Sequence, residues 1–432
     1  MLLNFNKKIN LFLYIYNKYN ILFSLVLFLI FTLILIKLGF IDNAHKWLDG
    51  QEYIARSQNI SFIDLNLLGL RDGFRPPLFP ILLHLISFLP FDIVIFYKVL
   101  NIFFVFFISS IIIFLTKKIT ITAYKNIFTL TALLLYFFLP NFFFIDFVYA
   151  ELLTVFIFNI QIFLIYKIYF LNSYNFKNLS ILSILFVISF YLKANLILFG
   201  IIFLIFVNKI FSNFKYFFYF GSLIFIFLTP WFLYMFSITG TFKATNSQYV
   251  NRLQGMGLDT IGHGLNNLDT LHGKYIYKVY GNNDKIKNYY TLYFRHLDEK
   301  YLAYDIHGMD LELQLIREKY SKISIEKIFK HDPIVQIKYS LLKIPHLFGF
   351  SFRDARDYVI SIYSTFSFLL MIFFFIKKKY VVFVYLNFLV LISTIIQTFM
   401  YVPTLRYSIY FFNSSIILYS AFIYNYLIML KK

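Results

Sequence analysis

Residues 21–40, "ILFSLVLFLIFTLILIKLGF", hold one charged side chain, Lys37, in twenty positions. A helix of about 20 apolar residues crosses the hydrocarbon core of a bilayer, and no water-soluble domain has a dry interior large enough for many such segments. The run is one of several. Sixty per cent of the chain is hydrophobic, 23% is aromatic, and the mean hydropathy is +0.71. These features predict an all-α polytopic membrane protein. Candidate spans lie at 21–40, 93–116, 126–140, 151–170, 179–192, 194–208, 216–238, 357–376, 380–398 and 407–428, about ten transmembrane helices in all. Residues 9–16, "INLFLYIY", are predicted to lie in the interface as a short amphipathic piece. No small-residue cleavage site follows the first apolar run, so that run is expected to remain as a span.

Charge orders these spans. Lys117, Lys118, Lys125, Lys177, Lys209, Lys215, Lys377 to Lys379, Lys431 and Lys432 fall in alternate connections or at the C-terminus. Lysine-rich connections face the cytoplasm. With both termini cytoplasmic in the cell (inner) membrane, all 21 acidic residues and all nine arginines fall on the opposite side or at an outer helix end. That distribution argues against nucleic acid as the partner of the +19 net charge and directs the search for chemistry to the extracytoplasmic face. No cysteine is present, which excludes thiolate nucleophiles and cysteine metal sites.

Three regions follow. Residues 1–238 form an N-terminal transmembrane module whose first outer loop is 41–92. Residues 239–356 form one long outer segment with 17 Lys+Arg and 12 Asp+Glu, too long for a passive connector, and read as a mostly helical outer domain or lid. Residues 357–432 form the C-terminal transmembrane helices. No internal repeat is seen, which weighs against two-fold transporter architectures.

Five stretches carry polar chemistry at the outer face. In "HKWLDGQEYIARSQ", Asp49 follows the first span and Tyr53 lies one helical turn on; Asp49 and Glu52 either serve a lipid headgroup or cap and solvate a helix start. In "RDGFRPPLFPILLHL", Arg71 and Arg75 precede a Pro-Pro pair and a short apolar helix, with Pro80 suited to the first turn. The arginines fit phosphate in two-point contact or anchor to anionic lipid. In "FFFIDFVYAELL", Asp146 and Glu151 flank the start of a span, where an acid faces a cavity or partner, or caps the helix. Lys193, in "YLKAN", and Arg406 with Tyr407, in "LRYSIY", border the same face or snorkel to headgroups. The histidines make no metal signature, though His263, His272, His296 and His307 lie among acids in the long outer segment. No phosphate-binding loop, dinucleotide fingerprint or serine nucleophile elbow occurs.

Taken in order, these stretches resemble the C-type glycosyltransferase superfamily, in the branch of protein O-mannosyltransferases, lipid A aminoarabinose transferases and RgtA/B/C/D-like proteins. The matching features are an Asp and Tyr in the first outer loop (Asp49, Tyr53), "FRPPLFP", "YAELL", "YLKAN" and "LRYSIY". Gly50 stands where many relatives carry a second acid, and a metal-binding histidine of some relatives has no clear counterpart. The segment 239–356 has no counterpart in the resemblance. The resemblance implies transfer of a sugar from a polyprenyl-phosphate donor to a lipid, glycan or protein acceptor. It implies Asp49 as base, Glu151 as orienting group or ligand of a divalent cation (Mg or Mn), and Tyr53, Arg71, Arg75, Lys193, Arg406 and Tyr407 as substrate-binding groups. Two other classes remain open: a lipid-linked-oligosaccharide flippase, and a surface-polysaccharide polymerase or ligase. A carrier calls for charge halfway through its helices, where Lys98 is the main candidate; a polymerase would not depend on Asp49.

Overall fold

The computed structural model describes residues 48–63, 68–119, 129–133, 144–170, 175–196, 199, 214–255, 311–331, 333–348, 350, 355–398 and 405–429, with isolated positions between 26 and 39. Among these there is no β-strand element; the secondary structure is helical. The first loop holds α1 (Leu48–Gln58), α2 (Leu68–Arg71) and α3 (Leu78–Ser87). Then come α4 (Ile93–Ile119), α5 (Glu151–Phe170), α6 (Phe176–Leu192), a 3-10 turn (Ala194–Leu196) and α7 (Phe214–Thr239). The long polar segment contributes α8 (Gln248–Gly255), α9 (Leu311–His331) and α10 (Val335–Leu347). The chain closes with α11 (Ala355–Ile376), α12 (Val381–Thr398) and α13 (Leu405–Met429).

Local chemistry accounts for the boundaries. The Asp92 side chain accepts from the backbone N–H groups of Val94 and Ile95, both at 2.9 Å, and starts α4. Asn175 does the same for α6 through Asn178 N–H at 2.8 Å. Pro77 precedes α3 and Pro80 falls in its first turn, where a missing N–H costs nothing.

Among the described residues, three helices, α4, α5 and α7, are long and apolar enough to cross a membrane. At 1.5 Å per residue, the 27 residues of α4 extend about 40 Å. Only 17% of the apolar stretch of α7 is buried inside the protein. Phe218, Phe225, Ile226, Phe227 and Leu233 are exposed on it, a surface suited to hydrocarbon and costly in water. Shorter apolar helices occupy 78–87, 176–192, 360–376, 383–397 and 408–423. Of the ten expected spans, 126–140 and 194–208 fall mostly outside the described residues, as does most of 21–40.

A large apolar core runs through α4, α5, α6, α11, α12 and α13, with Ile108, Val155, Leu182, Phe374, Val390 and Phe412 near its middle. A second cluster joins the first loop to one end of this bundle. There Tyr53 of α1 and Phe79 and Leu83 of α3 pack on Tyr97 of α4, Val148 and Leu192. Phe79 sits edge-on to both Tyr53 and Tyr97, at ring-centroid distances of 4.7 and 5.3 Å. The first loop is thus a folded cap on the end where α5 begins and α6 ends.

Candidate functional site

α1 is held by a buried ion network. Arg56 donates to Glu52 through Nε at 2.8 Å and to both oxygens of Asp72 at 2.8 Å, and Nη1 also reaches the Gly69 carbonyl at 3.1 Å. Burial alone would lower the Arg56 pKa, but Asp72 and Glu52 outweigh it and the guanidinium is held above its ordinary value. Two glycines let the chain come this close. A Cβ on Gly69 would stand 2.1 Å from the Arg56 carbonyl oxygen. Gly73 turns the chain with φ +62, and its would-be Cβ would meet Met235 Sδ at 2.6 Å.

That turn presents Arg75. Its Nη2 donates to Glu52 Oε2 at 2.6 Å and its Nε contacts both Glu52 oxygens at 3.2 Å. The guanidinium also lies over the Tyr53 and Phe74 rings, 5.3 and 5.2 Å from their centroids. Glu52, only 4% exposed, therefore serves two arginines. The sequence left Glu52 either serving a lipid headgroup or capping and solvating a helix start; the fold buries it between Arg56 and Arg75.

Across from Arg75 stand the first residue of α5 and the residue after α6. Lys193 Nζ donates to Glu151 Oε1 at 3.1 Å. The fold supplies a partner that the sequence around Glu151 lacks, 42 positions away. The Thr154 hydroxyl donates to the Glu151 carbonyl at 2.8 Å and is hydrogen-bonded to the Tyr410 hydroxyl at 2.6 Å, which ties the first turn of α5 to α13.

These groups enclose an open cavity with about 570 Å³ of empty volume, counted out to its mouth. Tyr53, Arg75, Glu151 and Lys193 line it, joined by Tyr149, Asn195, Thr245, Ser247 and Asn251. The last three come from the start of the long polar segment, whose first residues strap back over the first loop. Asn246 N–H donates to Gly73 O at 2.7 Å, its amide donates to Asp72 O at 3.1 Å, and the Ser247 hydroxyl donates to Phe74 O at 3.2 Å. Behind the strap, Glu318 of α9 accepts from the N–H groups of Tyr249 and Val250 at the start of α8.

Four of the eight residues singled out in the sequence thus share one cavity. Arg71 does not join them. It is exposed at the end of α2, away from the cavity lining, and its carbonyl accepts from the Tyr234 hydroxyl at 3.0 Å. It was expected beside Arg75; the positive-φ turn at Gly73 lies between them, and only Arg75 lines the cavity. Position 49 lies in the first turn of α1, one turn ahead of Tyr53, and positions 406 and 407 lie in the first turn of α13; their side chains are outside the described residues. The four histidines of the polar segment are outside them as well. The sequence reading missed Glu52, Arg56 and Asp72 as a network, although the i, i+4 spacing of Glu52 and Arg56 signals the first pair. Nothing in "TNSQYVN" foretells that it walls a cavity.

Among the described residues no three His, Asp or Glu side chains converge on a point that could hold a metal ion. Glu151 is an oxygen donor suited to Mg or Mn, but Lys193 already sits on it. The described residues alone do not furnish a divalent-cation site.

Chemically, the cavity offers two cations on carboxylate partners, an aromatic wall and neutral hydroxyl and amide groups. Comparison with protein-family models, curated proteins and solved structures returns no match.

Proposed function

We propose that the cavity is the active site of a membrane glycosyltransferase. It moves a sugar from a polyprenyl-phosphate donor to a lipid, glycan or protein acceptor at the extracytoplasmic face of the inner membrane. The chain crosses that membrane about ten times, with both termini cytoplasmic. The observation that carries it is the convergence of Tyr53, Arg75, Glu151 and Lys193, from four separated stretches, at one end of an apolar helix bundle. A polyprenyl tail needs an apolar surface and its phosphate needs cations; the apolar bundle beside Arg75 and Lys193 supports that pairing.

In the reaction, the acceptor oxygen bonds to the anomeric carbon as the bond from that carbon to the phosphate oxygen breaks, which inverts the centre. The acceptor proton passes to Asp49, and a general base of this kind contributes roughly 10²–10⁴-fold. The leaving polyprenyl phosphate gains negative charge, which Arg75 and Lys193 stabilise where water is scarce. Lys193 donates to Glu151 Oε1 at 3.1 Å, which sets its ammonium beside the reacting groups. Arg406 completes the cationic set, Tyr407 and Tyr53 bound the sugar, and Glu151 orients the reacting groups. Arg71 serves at the rim against anionic lipid.

A carrier would require charge at mid-membrane. Lys98 is the sixth residue of α4, about 8 Å from its start, and is paired with Asp146 at 2.9 Å. That placement favours the enzyme. The test is to replace Asp49 with Asn and Glu151 with Gln, verify insertion, and measure sugar release from polyprenyl-phosphate donor in vesicles. Both variants should lose turnover; unchanged turnover in both would remove the assignment.

A further inference from the structure

The turn 144–150 leads directly into Glu151, and one face of α4 grips it at several points. Tyr97 Oη donates to the Tyr149 carbonyl at 2.7 Å. Lys98 Nζ donates to Asp146 Oδ1 at 2.9 Å, with both side chains almost wholly buried. The Asn101 amide donates to the carbonyls of Phe147 at 3.0 Å and Ile145 at 3.2 Å, with Phe144 at 3.5 Å. Its own Oδ1 is buried without a hydrogen-bond partner.

We propose that Tyr97, Lys98 and Asn101 are positioning residues for Glu151, a clamp that fixes the height of its carboxylate against Lys193 in the cavity. The clamp rests on the transferase reading for its catalytic consequence, though not for its mechanical one. Three physical points lead there. A turn in apolar surroundings must have its carbonyls satisfied, and these come from a neighbouring helix rather than from a regular ladder within the turn. A buried Lys–Asp pair is a poor way to gain stability, since an apolar pair of the same volume holds as well or better. An asparagine that bonds several carbonyls while its own oxygen goes unmatched gives up further stability for position. The Lys98, Asp146 and Asn101 groups that bear these costs all hold the turn just ahead of Glu151. A shift of this turn would fray the first turn of α5 and lengthen the 3.1 Å contact to Lys193.

The test uses the full chain in lipid nanodiscs with a Lys98→Met/Asp146→Leu pair, and Lys98→Arg as the conservative variant. Backbone amide exchange over 147–153 is read first. It should rise about tenfold in the apolar pair and stay near wild type in Lys98→Arg, while the thermal midpoint holds or rises. With polyprenyl-phosphate donor, kcat should fall up to roughly a hundredfold with little change in KM, and the pH profile of kcat should shift; Lys98→Arg should restore both. Wild-type exchange, kcat and pH profile in the apolar pair would overturn the clamp. A lower midpoint with unchanged exchange and profile would also overturn it, since that marks a purely structural role. Should the pair not fold, Tyr97→Phe, which removes one hydroxyl, is judged by the same exchange and profile. No turnover in wild type sinks the transferase reading and leaves the exchange result to decide the clamp.

Discussion

Arg56 and Asp72 meet in two parallel hydrogen bonds of 2.8 Å, sixteen positions apart in the chain and sealed from solvent. The pair locks α1 beneath the 69–75 turn and so determines where Arg75 points. Removing either partner strands a buried charge, at a cost on the order of 3–5 kcal/mol. Arg56→Met and Asp72→Leu should therefore each lower the unfolding midpoint in detergent by many degrees. The joint Arg56→Met/Asp72→Leu change should cost much less than the sum. Additive losses would show that the two act independently.

Glu52 aims Arg75 at the cavity. Glu52→Gln keeps the volume and removes the charge that Arg75 needs, so kcat/KM for a polyprenyl-phosphate donor should fall by roughly 10²-fold. Steady-state kinetics in vesicles checks this. An unaltered ratio would mean that Arg75 finds its place without help.

Glu151 and Lys193 should behave as a unit. Glu151→Gln, Lys193→Met and their combination, assayed as a double-mutant cycle on kcat, should show a coupling of about 0.5–3 kcal/mol. A coupling near zero would mean that the 3.1 Å contact does not persist during turnover.

The close approach at Gly69 leaves no room for a methyl group, because the obstructing atom is a backbone oxygen at 2.1 Å. Gly69→Ala should destabilise by more than about 1 kcal/mol. Gly221→Ala, on α7 with nothing within 4 Å, should be neutral or stabilising by up to about 1 kcal/mol. Paired thermal unfolding curves test the contrast.

Burial raises the Glu318 carboxyl above its ordinary value; Lys243 and the N–H groups at the start of α8 offset only part of that. A folded pKa above the unfolded one means that stability is greatest on the acid side and declines as pH rises through the folded value. Proteolysis of the 243–255 strap should accordingly be slower near about pH 4 than at neutrality, and Glu318→Gln should flatten the difference. Lys243, which burial lowers, has an ordinary value of 10.5, far above that window.

The membrane class was legible in runs such as 93–116 and 216–238, because an apolar run of that length satisfies its backbone within hydrocarbon by coiling into a helix. The described helices Ile93–Ile119 and Phe214–Thr239 lie over those runs. Single charges at span ends, Glu151 and Lys193, were visible for the same reason: a charge in an apolar run has nowhere to hide. Which charges would meet was not visible. Glu151 with Lys193, Lys98 with Asp146 and Glu52 with Arg75 are joined across 42, 48 and 23 positions. Such pairings depend on how helix ends stack and where Gly73 turns, and no local spacing encodes either. The strap residues Thr245, Ser247 and Asn251 were likewise unreadable, since short polar side chains look alike in any loop; here the Asp72, Gly73 and Phe74 carbonyls hold Asn246 and Ser247, and Ser247 in turn bonds Thr245 and Asn251 at the same wall. Patterns along the chain settle which solvent each segment must face, because that is a sum over neighbours in sequence; the cavity is a sum over neighbours in space, and exists only once the bundle has closed.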